Sequence, residues 1–202
     1  YYFITDDEKN YLLTRPMEYV ITQLQKSTIS FKPADISKSA LLKFKNPTKE
    51  LFFIAKETTS PISGQVYDLL LDTNSDDQSF SSIVIGNGTR YKRSDHRAIK
   101  RIKFTCNGST VFNKTGSELA YHQPLKFHTG CPDPAYEFYM YSFSLKPEKY
   151  YPTGQLNMSR ISHKHINIEL DDTSSTRDIN VDVYALNYNV LRVQSGLAGL
   201  KF

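Results

Sequence analysis

The residues able to handle metals or protons in this 202-residue chain are few, and only two of its five histidines are spaced for joint chemistry. His163 and His165 stand at i and i+2, which puts both imidazoles on one face of a strand and offers two ligands to a metal ion. No third ligand is evident, and no cysteine–histidine spacing resembles a zinc site. His122 and His128 flank Pro124 with no nucleophile beside them, and His96 lies in a basic stretch where solvation is expected. The acid pairs Asp76-Asp77 and Asp171-Asp172 occupy turn-like sequence. Adjacent strand residues point to opposite faces, so neither pair makes an acid–base dyad. No phosphate-binding glycine loop, nucleophile elbow or dinucleotide fingerprint occurs. These residues by themselves identify no catalytic site, metal site or cofactor site.

Charge points instead to a surface. The densest basic run is Arg90, Tyr91, Lys92, Arg93, Asp95, His96 and Arg97, followed by Lys100, Arg101 and Lys103. Only Tyr91 and Phe104 interleave it, too few aromatics for stacking on single-stranded nucleic acid. The whole chain has 25 basic and 21 acidic side chains and a net charge of +4, a mildly basic surface rather than the density of a specific nucleic-acid binder. The cluster is therefore expected on a solvated or intersubunit surface. Sequons at Asn87, Asn107, Asn113 and Asn157 matter only if the chain passes through a secretory lumen. Cys106 and Cys131 are too few for a disulfide scaffold; a single bridge is open, and free thiols in a reducing compartment are the favoured reading.

The elements that must position these residues read as strands. Tyr139, Tyr141, Phe143 and Leu145 alternate with Ser142, Ser144 and Lys146, the period of a half-buried strand with its aromatics on one face. Pro147 is expected to end it, and Pro152-Thr153-Gly154 to turn the chain into a strand restarting at Leu156. Residues 98–106 alternate, with Ala98, Lys100, Ile102, Phe104 and Cys106 on one face, and Asn107-Gly108 predicts a hairpin turn. Residues 41–45 alternate and 50–56 are nearly continuously apolar; with Asn46-Pro47 between them they read as a hairpin. Residues 17–25 fit either a helical face or a strand, with strand preferred, and 121–128 is a strand candidate interrupted by Pro124. Residues 165–170 alternate with Ile166, Ile168 and Leu170 inward, and 179–193 form a long strand pattern with Ile179, Val181 and Val183 against Asn180 and Asp182, continuing through Tyr184, Leu186, Tyr188 and Val190. Residues 57–97 form a polar connection, with Asn87-Gly88 as a turn, long enough to hold small hairpins of its own. About eight short strands without a convincing long helix predict an all-β sandwich. No run approaches the roughly 20 apolar residues of a membrane helix. The chain starts at Tyr1 rather than Met, which predicts a segment of a longer polypeptide. Residues 1–15 are its connector, with Asp6, Asp7 and Glu8 suited to a helix start.

One stretch carries a family. Tyr141-Ser142-Phe143, Leu145-Lys146-Pro147-Glu148, then Pro152 and Gly154, then Asn157, Ser159, Arg160 and Ile161 resemble the C-terminal half of the major capsid protein of nucleocytoplasmic large DNA viruses, of the iridovirus, phycodnavirus and mimivirus type. The closing stretch, with Asn187, Asn189, Arg192 and Gly196, resembles that family's final motif. Weaker echoes follow in order: Glu18 to Gln25, Asn46-Pro47 to Leu51, Ile102 to Phe112, and Gln123-Pro124 with His128-Thr129. Ser162 stands where the family has Asp and Met158 where it has Phe, which marks a divergent member.

The resemblance implies an eight-stranded jelly-roll β-sandwich, the second of two in a double-jelly-roll subunit. Residues 1–15 would connect it to an N-terminal jelly roll, and 16–202 would form the C-terminal one, with residues 57–97 as a surface or intersubunit loop carrying Arg90 to Arg97. It implies a structural virion protein, not an enzyme and with no cofactor or small-molecule substrate, that trimerises into pseudo-hexameric capsomers tiling an icosahedral capsid, assembled in the host cytoplasm. Its partners would be its own copies, neighbouring capsomers, and minor capsid proteins or an inner membrane. Pro147, Pro152, Gly154, Asn157, Ser159, Arg160, Asn187, Asn189, Arg192 and Gly196 would then be fold residues. The rival readings are a double-jelly-roll scaffold protein of immature virions and a carbohydrate-binding or adhesion sandwich.

Overall fold

The structure, a computed structural model, describes residues 5–58, 71–72, 82–85, 89–93, 98–130, 138–171, 178–194 and 197–201. The chain opens with helix α1 (Asp6–Thr14), whose first turn is acidic and whose Thr5 side chain accepts a hydrogen bond from Glu8 N, as an N-cap does. Strand β1 (Met17–Phe31) follows, longer than the predicted 17–25. Its odd residues end in buried Ile29 and Phe31, while its even residues are exposed throughout, so period two outweighs the four residues that also fit a helical face.

Two antiparallel sheets share the remaining body. In the first, β1 pairs along its whole length with β12 (Ile179–Gln194), from Met17↔Val193 to Phe31↔Ile179. The other edge of β12 pairs with β3 (Pro47–Glu57), which in turn pairs with β9 (Phe138–Ser142). Two short strands extend this sheet: β10 (Leu156–Asn157) on β3 and β13 (Leu197–Leu200) on β12. The second sheet runs β2-β11-β7-β8, from Ser37–Leu41, Lys164–Leu170, Ile99–Cys106 and Ser109–Thr115. The chain passes back and forth between the sheets, and the eight principal strands form the jelly roll expected from the sequence. Within residues 57–97, β4 (Leu71–Asp72), β5 (Ser82–Ile85) and β6 (Thr89–Arg93) make a small sheet of order β4-β6-β5. Strands β5 and β6 flank the predicted Asn87-Gly88 turn, which itself lies outside the described residues.

The inner faces close on one core. Leu51, Phe53, Ala55, Val181 and Val183 of the first sheet meet Ile102, Phe104, Ile166 and Ile168 of the second, all buried. An aromatic run bridges the sheets: Phe112 stacks on Tyr141 at 4.0 Å between ring centroids, and Tyr141 and Phe104 each approach Phe143. Gly116 adjoins this core so closely that a Cβ there would collide with the Ile99 carbonyl.

Four expectations are corrected. Residues 41–45 and 50–56 are not a hairpin: Leu42 N donates to Lys164 O in the second sheet, whereas β3 belongs to the first. Asn46, at φ 68°, turns the chain from one sheet to the other, and Leu42 and Phe44 still point into the core between them. In β7 the face pattern slips at a bulge beside Glu169 and Leu170, so Ile99 is buried and Lys100 joins Arg101 outside. Residues 121–128 are helical rather than extended. A π-turn (Glu118–His122) runs into helix α2 (Gln123–Phe127), and Gln123 N bonds back to Glu118 O. The wide turn accommodates Pro124, which has no N–H to continue an α-helical ladder. The strand predicted over 139–146 stops at Ser142. Ser142 and Ser144 are buried and Leu145 is exposed, because the backbone bends away from the sheet before Pro147 is reached.

The helical segment is anchored by a reciprocal cap. Thr115 N and Oγ1 donate to Glu118 Oε2 at 2.9 and 3.1 Å, and Glu118 N donates to Thr115 Oγ1 at 3.3 Å. Lys114 Nζ adds a contact of 2.8 Å to Glu118 Oε1. The Lys114 bond, then the Thr115 amide, hold the Glu118 carboxyl down at about 2, below its ordinary 4.5.

Two outcomes are expected. Phe53→Ala empties a fully buried site in the central strand and lowers unfolding stability by about 3–5 kcal/mol, read as a lower urea midpoint at unchanged slope. Because the folded-state carboxyl of Glu118 titrates below its unfolded value, its stabilisation is complete above about pH 4.5 and fades as pH falls towards 2. Thermal melts of Glu118→Gln should therefore fall below wild type at pH 6 and converge on it near pH 2.

Candidate assembly surface

The predicted contact residues fall into two groups. Arg90, Tyr91, Lys92 and Arg93 lie on β6, while Asp95, His96 and Arg97 lie outside the described residues. Lys100, Arg101 and Lys103 are exposed on the second sheet; Lys100 pairs with Glu169 at 3.2 Å and Arg101 Nη1 donates to Asn113 Oδ1 at 3.5 Å. His163 and His165 are exposed with parallel rings 6.5 Å apart, and no cluster of three or more metal-ligating side chains occurs among the described residues. Cys106 is a free thiol; burial pushes its pKa up, against a smaller opposing effect of Lys164. Cys131 lies outside the described residues, as does sequon Asn87. Asn107 Oδ1 accepts from His163 N, and Asn157 Oδ1 accepts from Ser159 N, so both amides serve turns. Asn113 is exposed on β8.

Several of the family-motif residues make contacts within the fold. Asn46 N donates to Ser159 Oγ at 2.8 Å and Met158 N donates to Asn46 O at 3.1 Å, which clamps the crossover at Asn46 to the turn after β10. Gly154 has φ 142°, and a Cβ there would lie 2.9 Å from Phe143 O. Asn187 Oδ1 accepts from Gln25 Nε2, and Asn189 Nδ2 donates to Gln23 Oε1, both at 2.9 Å across the β1–β12 pair. Arg192 approaches Glu18 at 3.8 Å, and Arg160 is exposed. Gly196 lies outside the described residues.

Three buried charges brace the first sheet. Asp182 is covered by Lys56 at 2.7 Å and Lys26 at 3.0 Å, with Thr28 donating at 2.6 Å. Burial alone would raise its pKa; the bonds from Lys56, Thr28 and Lys26 outweigh it and hold the carboxyl below its ordinary value. Glu50, 1% exposed, meets His128 Nε2 at 2.7 Å, and His128 Nδ1 stands 3.5 Å from Glu148. Lys49 Nζ donates to Pro147 O at 2.8 Å. Beside them the Tyr188 hydroxyl is buried without a hydrogen-bond partner among the described residues, and burial followed by Glu50 raises its pKa.

These contacts hold the corner at residues 143–154 against the first sheet. Ser144 Oγ and Thr153 Oγ1 share a bond of 2.5 Å, Lys146 N donates to Thr153 Oγ1, and Thr129 N and Oγ1 both donate to Glu148 Oε1. From this frame Leu145 stands 77% exposed, Tyr150 91% and Tyr151 46%. Sequence reading placed Leu145 with the core aromatics and took this stretch as fold alone. The adjacent Tyr150-Tyr151 between Lys149 and Pro152 was the available signal, since a polar turn has no packing use for two aromatic rings. Other exposed large apolar side chains include Tyr11 and Leu13 on α1, Tyr19, Val20 and Leu24 on β1, Ile36, Leu41, Val111, Leu125, and Leu197 and Leu200 on β13.

Comparison with known proteins fits a contact-making role. The sequence model of the family described as large eukaryotic DNA virus major capsid protein matches residues 8–199. The major capsid protein of Pyramimonas orientalis virus is 30% identical over 213 residues, covering 100% of this chain and 47% of that protein. That of Chrysochromulina ericina virus is 38% identical over 103 residues, 50% of this chain and 17% of its own length. Among solved structures, the PBCV-1 virus capsid superposes with a TM-score of 0.74 at 25% identity, over 99% of this chain and 55% of that one. The chain thus spans about half the length of the relatives it matches from end to end. With nearly its whole length matched and the jelly roll in place, the chain belongs to the major capsid protein family of large eukaryotic DNA viruses.

Proposed function

We propose that this chain is the C-terminal jelly roll of a subunit that trimerises into pseudo-hexameric capsomers, and that those capsomers tile the icosahedral shell of a large double-stranded DNA virus. The observation that supports this most is the likeness to the PBCV-1 virus capsid over 99% of this chain, at 25% identity and a TM-score of 0.74. Its work is mechanical and no catalytic step is assigned to it. Sheets lock the sandwich, and loops and edges make the contacts, each modest and each repeated many times over the shell. Residues 1–15 connect to a preceding jelly roll. Residues 57–97, with Arg90, Tyr91, Lys92, Arg93, Asp95, His96 and Arg97, form an outward-facing intersubunit loop. The partners are copies of the same subunit, neighbouring capsomers, and minor capsid proteins or an inner membrane, with assembly in the host cytoplasm. Electron microscopy of the purified full-length protein is expected to show trimers with a six-sided outline. Monomers alone, at all concentrations, would refute the capsomer reading.

A further inference from the structure

Consecutive residues of a strand point to opposite faces, yet Lys49 and Glu50 are both buried, at 8% and 1% exposure. The cause is a bulge. Leu186 of β12 pairs with Glu50 and Asn187 with Thr48, so Lys49 is an extra residue in β3 with none opposite it. A bulge re-aims the side chains beside it. Lys49 Nζ reaches the Pro147 carbonyl and Phe143 N donates to Lys49 O, while Glu50 meets His128 at the end of α2. One irregularity in β3 thus directs two charges at the elements that hold the 143–154 corner.

His128 stands between two carboxylates. Its Nε2 is 2.7 Å from Glu50 Oε1 and its Nδ1 is 3.5 Å from Glu148 Oε1. A neutral imidazole carries one N–H and one lone pair, so it can donate to only one of them and turns the lone pair on the other. One further proton removes the conflict, whether it rests on the ring or nearer the Glu50 oxygen. The surrounding groups do not remove it. Lys49 is engaged by Pro147, and the Tyr188 hydroxyl of β12, beside Glu50, makes no hydrogen bond among the described residues. His122 and Lys126 on the helical segment and Lys146 and Lys149 on the corner are exposed. Thr129 N and Oγ1 donate to Glu148 Oε1 at 2.8 and 2.9 Å, which holds that oxygen against the ring. The two carboxylates are unequal. The Glu50 side chain is 2% exposed and cannot turn to water, whereas that of Glu148 is 39% exposed and can. The contact that yields when the proton leaves is therefore the one to the corner.

We propose that His128 is a proton-operated clasp: with the further proton in place it holds the 143–154 corner on the first sheet through Glu50 and Glu148, and without it the Glu148 arm is repelled and the corner loosens. The bracing is present at low pH and is lost as pH rises through release of that proton. At the acid end Glu148 stays ionised below its ordinary 4.5, held down by the Thr129 amide first and the Thr129 hydroxyl next. The clasp lies within one chain, so it stands whether or not the subunit trimerises. The test is amide hydrogen exchange of the full-length protein between about pH 5 and 8, where histidine changes charge, corrected for the intrinsic pH dependence of exchange and at a matched state of assembly. Protection of Leu145 and Lys146, whose amides donate to Thr153, should fall about twofold to fivefold across that range, the size of a partly exposed ion pair. Glu148→Gln keeps an oxygen for Thr129 but removes the second carboxylate, so its corner should be equally protected at both ends of the range. His128→Gln, which has no titrating ring, should behave in the same way. Wild-type protection that does not change with pH, or a change that survives in Glu148→Gln, would overturn the clasp.

Discussion

The structure depends on β12 being paired along both edges. That strand takes β1 on one side over fifteen residues and β3 on the other, so the first and last principal strands of the chain are neighbours. Nothing local in the sequence brings them together. The pairing must close a loop of about the whole domain before its contacts are rewarded, which is the loop entropy that makes such folds slow to form. Register matters as much as pairing, because a one-residue slip would turn Val181 and Val183 out of the core and Asp182 into it. The amide pairs Gln25–Asn187 and Gln23–Asn189 serve as register marks beyond the apolar part of the ladder, where hydrophobic burial no longer discriminates.

Around that sheet, polar side chains are buried only where they are matched. Asp182 collects two lysines and a threonine, and Lys164 places its ammonium on the carbonyls of Met158 and Ile161. Removing one partner of such a group would leave a charge without solvent or counter-charge, which costs far more than the intact pair contributes. The Tyr188 hydroxyl beside Glu50 is the exception, buried without a hydrogen bond among the described residues. It lies beside the same lysine that ties down the corner, Lys49, which stands 5.8 Å over its ring. Polar order is thus concentrated where the first sheet meets the corner loop.

That corner is ordered by the fold yet exposed at its tip. Gly154, Thr153 and Pro147 make its shape, and the shape leaves three large apolar side chains in water. A capsid protein needs surfaces that are already ordered before they meet, since each contact in a shell is small and ordering entropy would otherwise cancel it. Within the chain, the bonds of Thr153 to Leu145 and Lys146 supply such order at the base of the corner.

The sequence by itself determined the alternation of β11 and of the first half of β12, the Asn107-Gly108 turn and the family, because these rest on side-chain period, turn chemistry and ordered motifs that are local. It also located the long connection with strands of its own at residues 57–97. Tertiary structure decided the rest. Residues 41–45 and 50–56 look like a hairpin but separate at Asn46 into different sheets, since partner choice depends on which distant strand offers a free edge. Residues 121–128 look extended but coil, because Leu119, Ala120 and Pro124 find burial on one side of a helical segment. Leu145 has the period of a core residue and the position of a surface one. Its alternation holds only while the backbone stays in the sheet, and beyond Ser142 the backbone bonds instead to Thr153, eight residues after Leu145: Leu145 N donates to Thr153 O and Lys146 N to Thr153 Oγ1.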